Sequence, residues 1–476
     1  MKTIKTITLI AIAGTLVFLS ACKREGCTDP TALNYDEKAK KDDGSCTYDV
    51  PDNTIIITDN GSGTGTTVWT SDKEYILDGL VFVNDGQTLT IEAGTVIKGK
   101  PGTGENASAL IVARGGKINA TGTASDPIIF TAEADDLAGS VDVKARGLWG
   151  GLILLGNARL NSSPGETAIE GIPTSEPRGI YGGNDDSDNS GTLKYISIRH
   201  GGTDIGEGNE INGLTLGGVG SGTTIEYIEV ISNADDGVEF FGGTVQCKNM
   251  VVAFCGDDCF DYDEGFRGKG QFWVAIQDPS EGDRVGEHDG GTSPETGQPY
   301  AIPEIFNATY VGRGAGQGVR IMTLRDNAGG KYKNSIFLNQ DKGVDIELLS
   351  GEGSFDRWQA GELELANNIF HNVADGTAAG IFKISFGDGA SSNADSANAA
   401  TDFAGYFTTA GNVVADPGVT VTTSSWSLIP SGADVTSNLA TYPASWFENV
   451  SYKGAFAPGA SNWAAGWTLV STAGLQ

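Results

Sequence analysis

The chain has 476 residues, 61 of them acidic and 31 basic, for a formal net charge of −30. That balance excludes a nucleic-acid partner, whose phosphates would be repelled. The 39% hydrophobic content, with 8 Trp, 19 Phe and 13 Tyr, excludes wholesale disorder. Gly supplies 69 residues, about twice ordinary usage, against only 15 Pro, and three His leave little room for His-rich metal chemistry.

Met1 to Ala21 carries Lys2 and Lys5, then an apolar run from Ile7 to Leu19. The run is short for a bilayer span and has the basic start and apolar centre of a secretory signal. It ends Leu19-Ser20-Ala21-Cys22, which resembles the lipobox of bacterial lipoproteins. The resemblance implies removal of residues 1–21, attachment of diacylglycerol to Cys22 and acylation of the new amino group with chains such as palmitate. Several acyl chains anchor stably where one does not. By the same resemblance, Lys23 in place of an Asp favours the outer membrane, with the cell surface as the expected side.

Residues 22–52 read as a tether. Gly26-Cys27-Thr28-Asp29-Pro30 through Asp42-Asp43-Gly44-Ser45-Cys46 resembles a short Cys motif of Bacteroidota surface proteins. In an oxidising compartment Cys27 and Cys46 are expected to pair, closing a loop worth about 3 kcal/mol. Asp42, Asp43 and Ser45 offer hard oxygens to Ca²⁺, or simply make an acidic turn.

From Asn53 the pattern becomes short β-branched runs separated by Gly, Asn and Asp turns, such as Leu89-Thr90-Ile91 and Pro127-Ile128-Ile129-Phe130. Aligned on itself, the chain repeats. Ile225 to Val230, followed by Asn233-Ala234-Asp235-Asp236-Gly237-Val238-Glu239-Phe240, recurs 22 residues later as Cys247 to Val252 and Cys255-Gly256-Asp257-Asp258-Cys259-Phe260-Asp261-Tyr262. Tyr332 to Phe337 with Lys342 to Ile346 is a further copy. Such a period, with strand–turn–strand content, means one rung per repeat, with Gly and Asn at corners needing positive φ. The pattern resembles the right-handed parallel β-helix. An all-β solenoid of that kind is expected over 53–430, with the aromatic segment 431–476 capping its end.

Stacked rungs place Asp235 and Asp236 about 4.8 Å from Asp257 and Asp258, and Glu239, Asp261 and Glu287 form a second, outward row, with Arg320 and Asp345 further along. Three readings stand: the Asp residues hydrogen-bond turn amides; or Asp235, Asp236, Asp257 and Asp258 hold Ca²⁺; or Asp235, Asp257 and Asp258 are catalytic carboxylates. The order Asn233-Ala-Asp, Gly256-Asp-Asp, His288, Arg320-Ile321 is similar to polygalacturonase-type β-helix enzymes. It departs from them at Ala234, at Glu287-His288-Asp289 and at Met322, where the substrate-binding Lys is missing. His288 aligns with Phe240, Tyr262, Ile321 and Ile346, an inward row. Cys255 and Cys259 flank the acidic turn and are expected either to bridge it or to lie buried as thiols; Cys247 aligns with a core position. Long insertions at 161–190 and 278–303 would form a groove if they shared one face, and Tyr181, Trp273, Tyr300 and Tyr310 beside them are candidate sugar-stacking rings.

The resulting expectation is a lipid-anchored surface β-helix with a binding or structural role toward glycans or an outer-membrane partner. Its rival is a polygalacturonase-like hydrolase or a lyase, for which a basic groove looks hard to assemble from so acidic a chain.

Overall fold

The computed structural model describes residues 24–30, 32–46, 53–206, 209–387, 394–422, 425–443 and 445–476. The leader and Cys22 lie outside the described residues. The chain divides into two compact units, Met1–Thr54 and Ile55–Gln476. In the first, Cys27 and Cys46 form a disulfide. Asp43 accepts the Ser45 amide at 3.0 Å and Asp42 the Gly44 amide at 3.4 Å, the hydrogen-bonding expected of an acidic turn.

The second unit is a parallel β-helix. Its longest strands, Gly191–Arg199, Thr224–Ile231, Gln246–Ala253 and Lys269–Ile276, stack in parallel register. The 22-residue period is the register itself: Ile225 lies on Cys247, and Val238 on Phe260. Each long strand turns a corner at one left-handed residue, so that Tyr195, Tyr227, Asn249 and Phe272 form a column continued by Asn307, Asn334 and Asn367, all at φ between +50° and +60°. Asn tolerates this region; Tyr and Phe do so only under constraint.

A second sheet of ten strands stacks beside the first, from Leu80–Val83 to Phe382–Phe386. Side chains of both sheets fill the lumen between them, including Leu216, Phe240, Tyr262, Leu324 and Ile346. Burial of each such side chain is worth about 1.5–3 kcal/mol. Cys247, Cys255 and Cys259 are all free and buried in this lumen. Cys255 and Cys259 therefore do not bridge the turn: both face the core.

The end of the core is closed by the helix Ala394–Thr409, whose Phe403 and Phe407 pack on Phe382 and Phe370 at ring separations of 4.8 and 5.4 Å. The aromatic carboxyl segment, expected at that end, runs elsewhere. It lies back along the outside of the first sheet, where Trp426, Val435, Phe456 and Val470 cover Ile231, Val251, Val274, Val311 and Ile336. The outward side chains grip it rung by rung. Asn367 donates to the Asn438 carbonyl (3.0 Å), Asn334 to Ala440 (3.1 Å), Asn307 to Tyr452 (2.8 Å) and Gln271 to Glu448 (2.9 Å). At its far end the Leu469 and Val470 amides donate to buried Glu229 at 2.7 and 3.0 Å. The column rings Tyr195 and Tyr227 stack at 4.4 Å and meet Trp467 edge-on.

Candidate functional site

One register position of the second sheet points outward on every rung: Phe82, Ile111, Ile153, Thr215, Glu239, Asp261, Glu287, Thr323, Asp345 and Lys383 in turn. The row changes character halfway. Its apolar half is covered by the first insertion, whose hairpin Glu166–Ala168 with Ile180–Gly182 sets Ile169, Ile172 and Tyr181 on Phe82, Ile111 and Ile153. Arg178 fastens this hairpin by a 2.6 Å ion pair to Asp59 and by lying 3.8 Å over the Phe82 ring. The second insertion meets the first through the Ser163 amide on the Ser293 carbonyl (2.9 Å) and Asn161 Nδ2 on the Gly290 carbonyl (2.7 Å). The two insertions thus share a face, and the polar half of the row begins beside them.

The expected register holds for Glu239, Asp261, Glu287 and Asp345. It fails for Arg320, which pairs with Lys342 at the strand start, leaving Thr323 in the row. The same three-residue offset puts Leu324, not Ile321, over His288. The Gly-rich loop before Arg320 lengthens the repeat there. His288 does face inward. It stacks on Tyr262 at 4.1 Å, its Nε2 is 2.7 Å from the Tyr332 hydroxyl, and burial holds its pKa down to about 3. It cannot stand in for a surface catalytic His. Tyr181, Trp273 and Tyr310 are also buried, not sugar platforms, and Tyr300 is stacked by the Arg357 guanidinium.

The acidic corners do two things. Asp236 Oδ1 accepts the Asp258 amide at 2.9 Å, and Asp258 accepts the amide of Arg284, the equivalent residue one rung on. This is a ladder of turn hydrogen bonds. The remaining oxygens converge. Asp236, Glu239 and Asp261 bring ligand atoms within 4.8 Å of one another, as do Asp235, Asp236 and Asp257, and Asp257, Asp258 and Asp283. Asn212 ties in Glu170 of the first insertion, donating to it at 3.0 Å and to Glu239 at 2.5 Å. Among the described residues, Asp261 Oδ1 is buried without a hydrogen-bond partner. Burial, then neighbouring carboxylates, push Asp236, Glu239, Asp258 and Asp261 well above the usual carboxylate range, and Asp235 to about 7. So many acids must hold protons or a cation. The donor set is all hard oxygen, the type Ca²⁺ takes six to eight at a time.

Further along the row, charge is balanced. Arg284 pairs with Glu287 at 3.0 Å and reaches Asp258 at 3.8 Å; Arg325 pairs with Glu287 at 3.1 Å and with Asp289 at 2.8 Å; Arg320 pairs with Asp345 at 3.5 Å. A cavity of about 430 Å³ beyond them is lined by Arg320, Lys342, Asp345, Lys383 and Ser385. The basic groups judged hard to assemble do gather here, because the rungs stack them from strands far apart in sequence. Glu170, Asn212, Asp283, Arg284, Arg325 and Lys383 were not singled out from the sequence. Lys383 could have been found by extending the row, and Arg325 by extending the parallel row through Asp289, whereas Glu170 sits in an insertion with no period.

The family model described as "Pectate-lyase like beta helix domain" matches residues 61–468. No curated protein matches the chain. Among solved structures, that titled "Crystal structure of Dettilon tailspike protein (gp208)" is similar at 12% identity, over 70% of this chain and 68% of that one, with a TM-score of 0.23.

Proposed function

The chain belongs to the family of pectate-lyase-like β-helix domains, and from that premise we propose that it is a lipid-anchored surface protein that binds glycans along the polar stripe of its second sheet. The observation that carries this reading is the gradient along one outward-facing row. Carboxylates with no cationic partner among the described residues crowd Asp236, Glu239 and Asp261, and arginines and lysines follow on later rungs. In this reading Asp236, Glu239 and Asp261, with Asp235 and Asp257 beside them, would hold Ca²⁺, which would supply a Lewis-acidic contact for glycan oxygens. Arg284, Arg325 and Lys383 donate hydrogen bonds to the sugar further along. The membrane partner is the bilayer itself, through Cys22; an outer-membrane protein on the same face is the other partner the reading admits.

A polysaccharide-degrading activity is the second reading. It is favoured by the two arginines flanking Glu287 next to the carboxylate cluster, since lyase chemistry pairs a cation with a nearby basic group. The decisive experiment applies a Cys22→Ser chain to a glycan array with Ca²⁺ or with chelator. Calcium-dependent retention of an unchanged glycan supports binding. New unsaturated ends on a retained glycan support the lyase. No retention in either condition overturns both. For the anchor, Cys22→Ser is expected to move the protein from the membrane fraction to the soluble one, and unchanged fractionation would refute lipidation.

A further inference from the structure

The polar row ends in the cavity of about 430 Å³ beside Lys383, a ligand-sized volume. Three basic side chains face it, Arg320, Lys342 and Lys383, and three acidic ones, Asp341, Asp345 and Asp375. Two of the acids are fixed as carboxylates by local donors. The Gly316 and Gly318 amides donate to Asp341 at 2.7 and 2.8 Å, and the Thr377 amide and hydroxyl donate to Asp375 at 2.9 and 2.8 Å. These hydrogen bonds hold both groups below the usual carboxylate value. Burial raises Asp345, and Arg320, 3.5 Å away, opposes the rise by pairing with it. With that pair formed, the charges of the lining cancel.

The wall still offers open groups of both kinds. Lys342 and Lys383 are exposed and form no ion pair among the described residues. Nor does any described residue donate to Asp375 Oδ2; both Thr377 donors go to Oδ1. Gly380 makes room for this carboxylate, since a Cβ there would lie 1.7 Å from Asp375 Oδ1. Ala374 and Ile384 add an apolar patch to the same wall. A sugar hydroxyl donates and accepts at once, so neighbouring hydroxyls can join an ammonium to a carboxylate, while the C–H face of the ring lies on the apolar patch. An anionic sugar would satisfy the lysines but face three carboxylates, a like-charge penalty that rejects it.

Resting on the glycan reading above, we infer that this cavity seats an uncharged hexose segment, with Lys342, Lys383 and Asp375 on its hydroxyls and Ala374 and Ile384 under its ring, and that it selects neutral chains over uronate chains.

The test titrates cellotriose, maltotriose and mannotriose into the full Cys22→Ser chain by calorimetry, with trigalacturonate as the anionic counterpart. Chelator is present throughout, so that no cation in the acidic cluster contributes. Saturable one-to-one binding of at least one neutral trisaccharide is expected, with trigalacturonate at least tenfold weaker. Lys383→Ala, which removes an open donor, and Ser385→Trp, which fills the cavity, are each expected to weaken the neutral sugar at least tenfold, with the melting temperature reporting that each variant is folded. Asp375→Asn leaves the lining with an excess positive charge and is expected to narrow the preference for neutral over anionic sugar at least threefold, a change that a merely structural role would not produce. Trigalacturonate binding as tightly as the best neutral trisaccharide would overturn the inference and leave the glycan reading standing. So would retention of a glycan on the array with no saturable binding of any neutral trisaccharide here. Neutral binding that survives both Lys383→Ala and Ser385→Trp, or an unchanged preference in Asp375→Asn, would overturn the inference as well.

Discussion

Asn334 shows how much a single side chain does in this molecule. It turns the strand corner at φ +53°, donates to the Ala440 carbonyl and accepts the Ala440 amide at 2.8 Å. Asn334→Ala should therefore cost about 2–4 kcal/mol, from a strained left-handed corner and two lost hydrogen bonds, read by chemical denaturation. That Asn and Gly would hold the corners was legible in the sequence, because few residues tolerate positive φ. That Tyr195, Tyr227 and Phe272 would join them was not, since their constraint comes from the carboxyl segment packed on them. Asp261 makes the opposite case. Its alternation between Phe260 and Tyr262 put it on the outside from sequence alone, but its lack of a hydrogen-bond partner is a property of the stack. Asp261→Asn should stabilise the chelated protein near neutral pH by replacing a buried carboxyl that must otherwise take up a proton, and should also remove any rise in melting temperature caused by Ca²⁺. A calcium-induced rise that persists in the variant would place the ion elsewhere.

At the level of elements, the rungs were readable and the pieces that break the period were not. The strands from Thr224 to Asp263 follow the 22-residue alignment residue for residue, because each repeat must lay like side chains over like. The closing helix Ala394–Thr409 carries its own signal in Phe403, Tyr406 and Phe407, spaced three and four apart on one helical face, but it is embedded in small polar residues. Its weight can be measured. Phe403 is fully buried, stacked on Phe382 and edge-on to Trp358. Phe403→Ala should cost about 3–5 kcal/mol, seen as a lower denaturation midpoint, and a loss under 1 kcal/mol would mean that the end of the core is closed by something else.

Across the whole molecule, the excess of acid is not spread evenly but concentrated where rungs superimpose it. This gives a pH signature with a definite sign. Asp235 and Asp289 are held up to about 7, and Asp326 to about 6, by burial first; Asp235 and Asp326 are raised further by neighbouring carboxylates, while Asp289 is opposed by its Arg325 pair. In the unfolded chain these groups lose their protons near pH 4. Between about pH 4 and 7 the folded state therefore binds more protons, and stability falls as pH rises through that window. In chelator the melting temperature should drop from pH 5 to pH 7.5; in millimolar Ca²⁺ the slope should flatten, because the ion replaces the protons. A melting temperature that rises over that range in chelator would contradict the clustering.

The carboxyl segment has a mechanical consequence. A bare solenoid can fray one coil at a time from its free end, since each coil touches only its neighbours. Here the tail is laced to Asn367, Asn334, Asn307 and Gln271 and knotted down at Glu229. Tension at the final residues is thus delivered to the middle of the stack, not to its tip, and the last coils are bypassed by the load. A protein tethered by one end and tugged at the other would resist until that lacing tears, and then yield in one large step instead of many small ones.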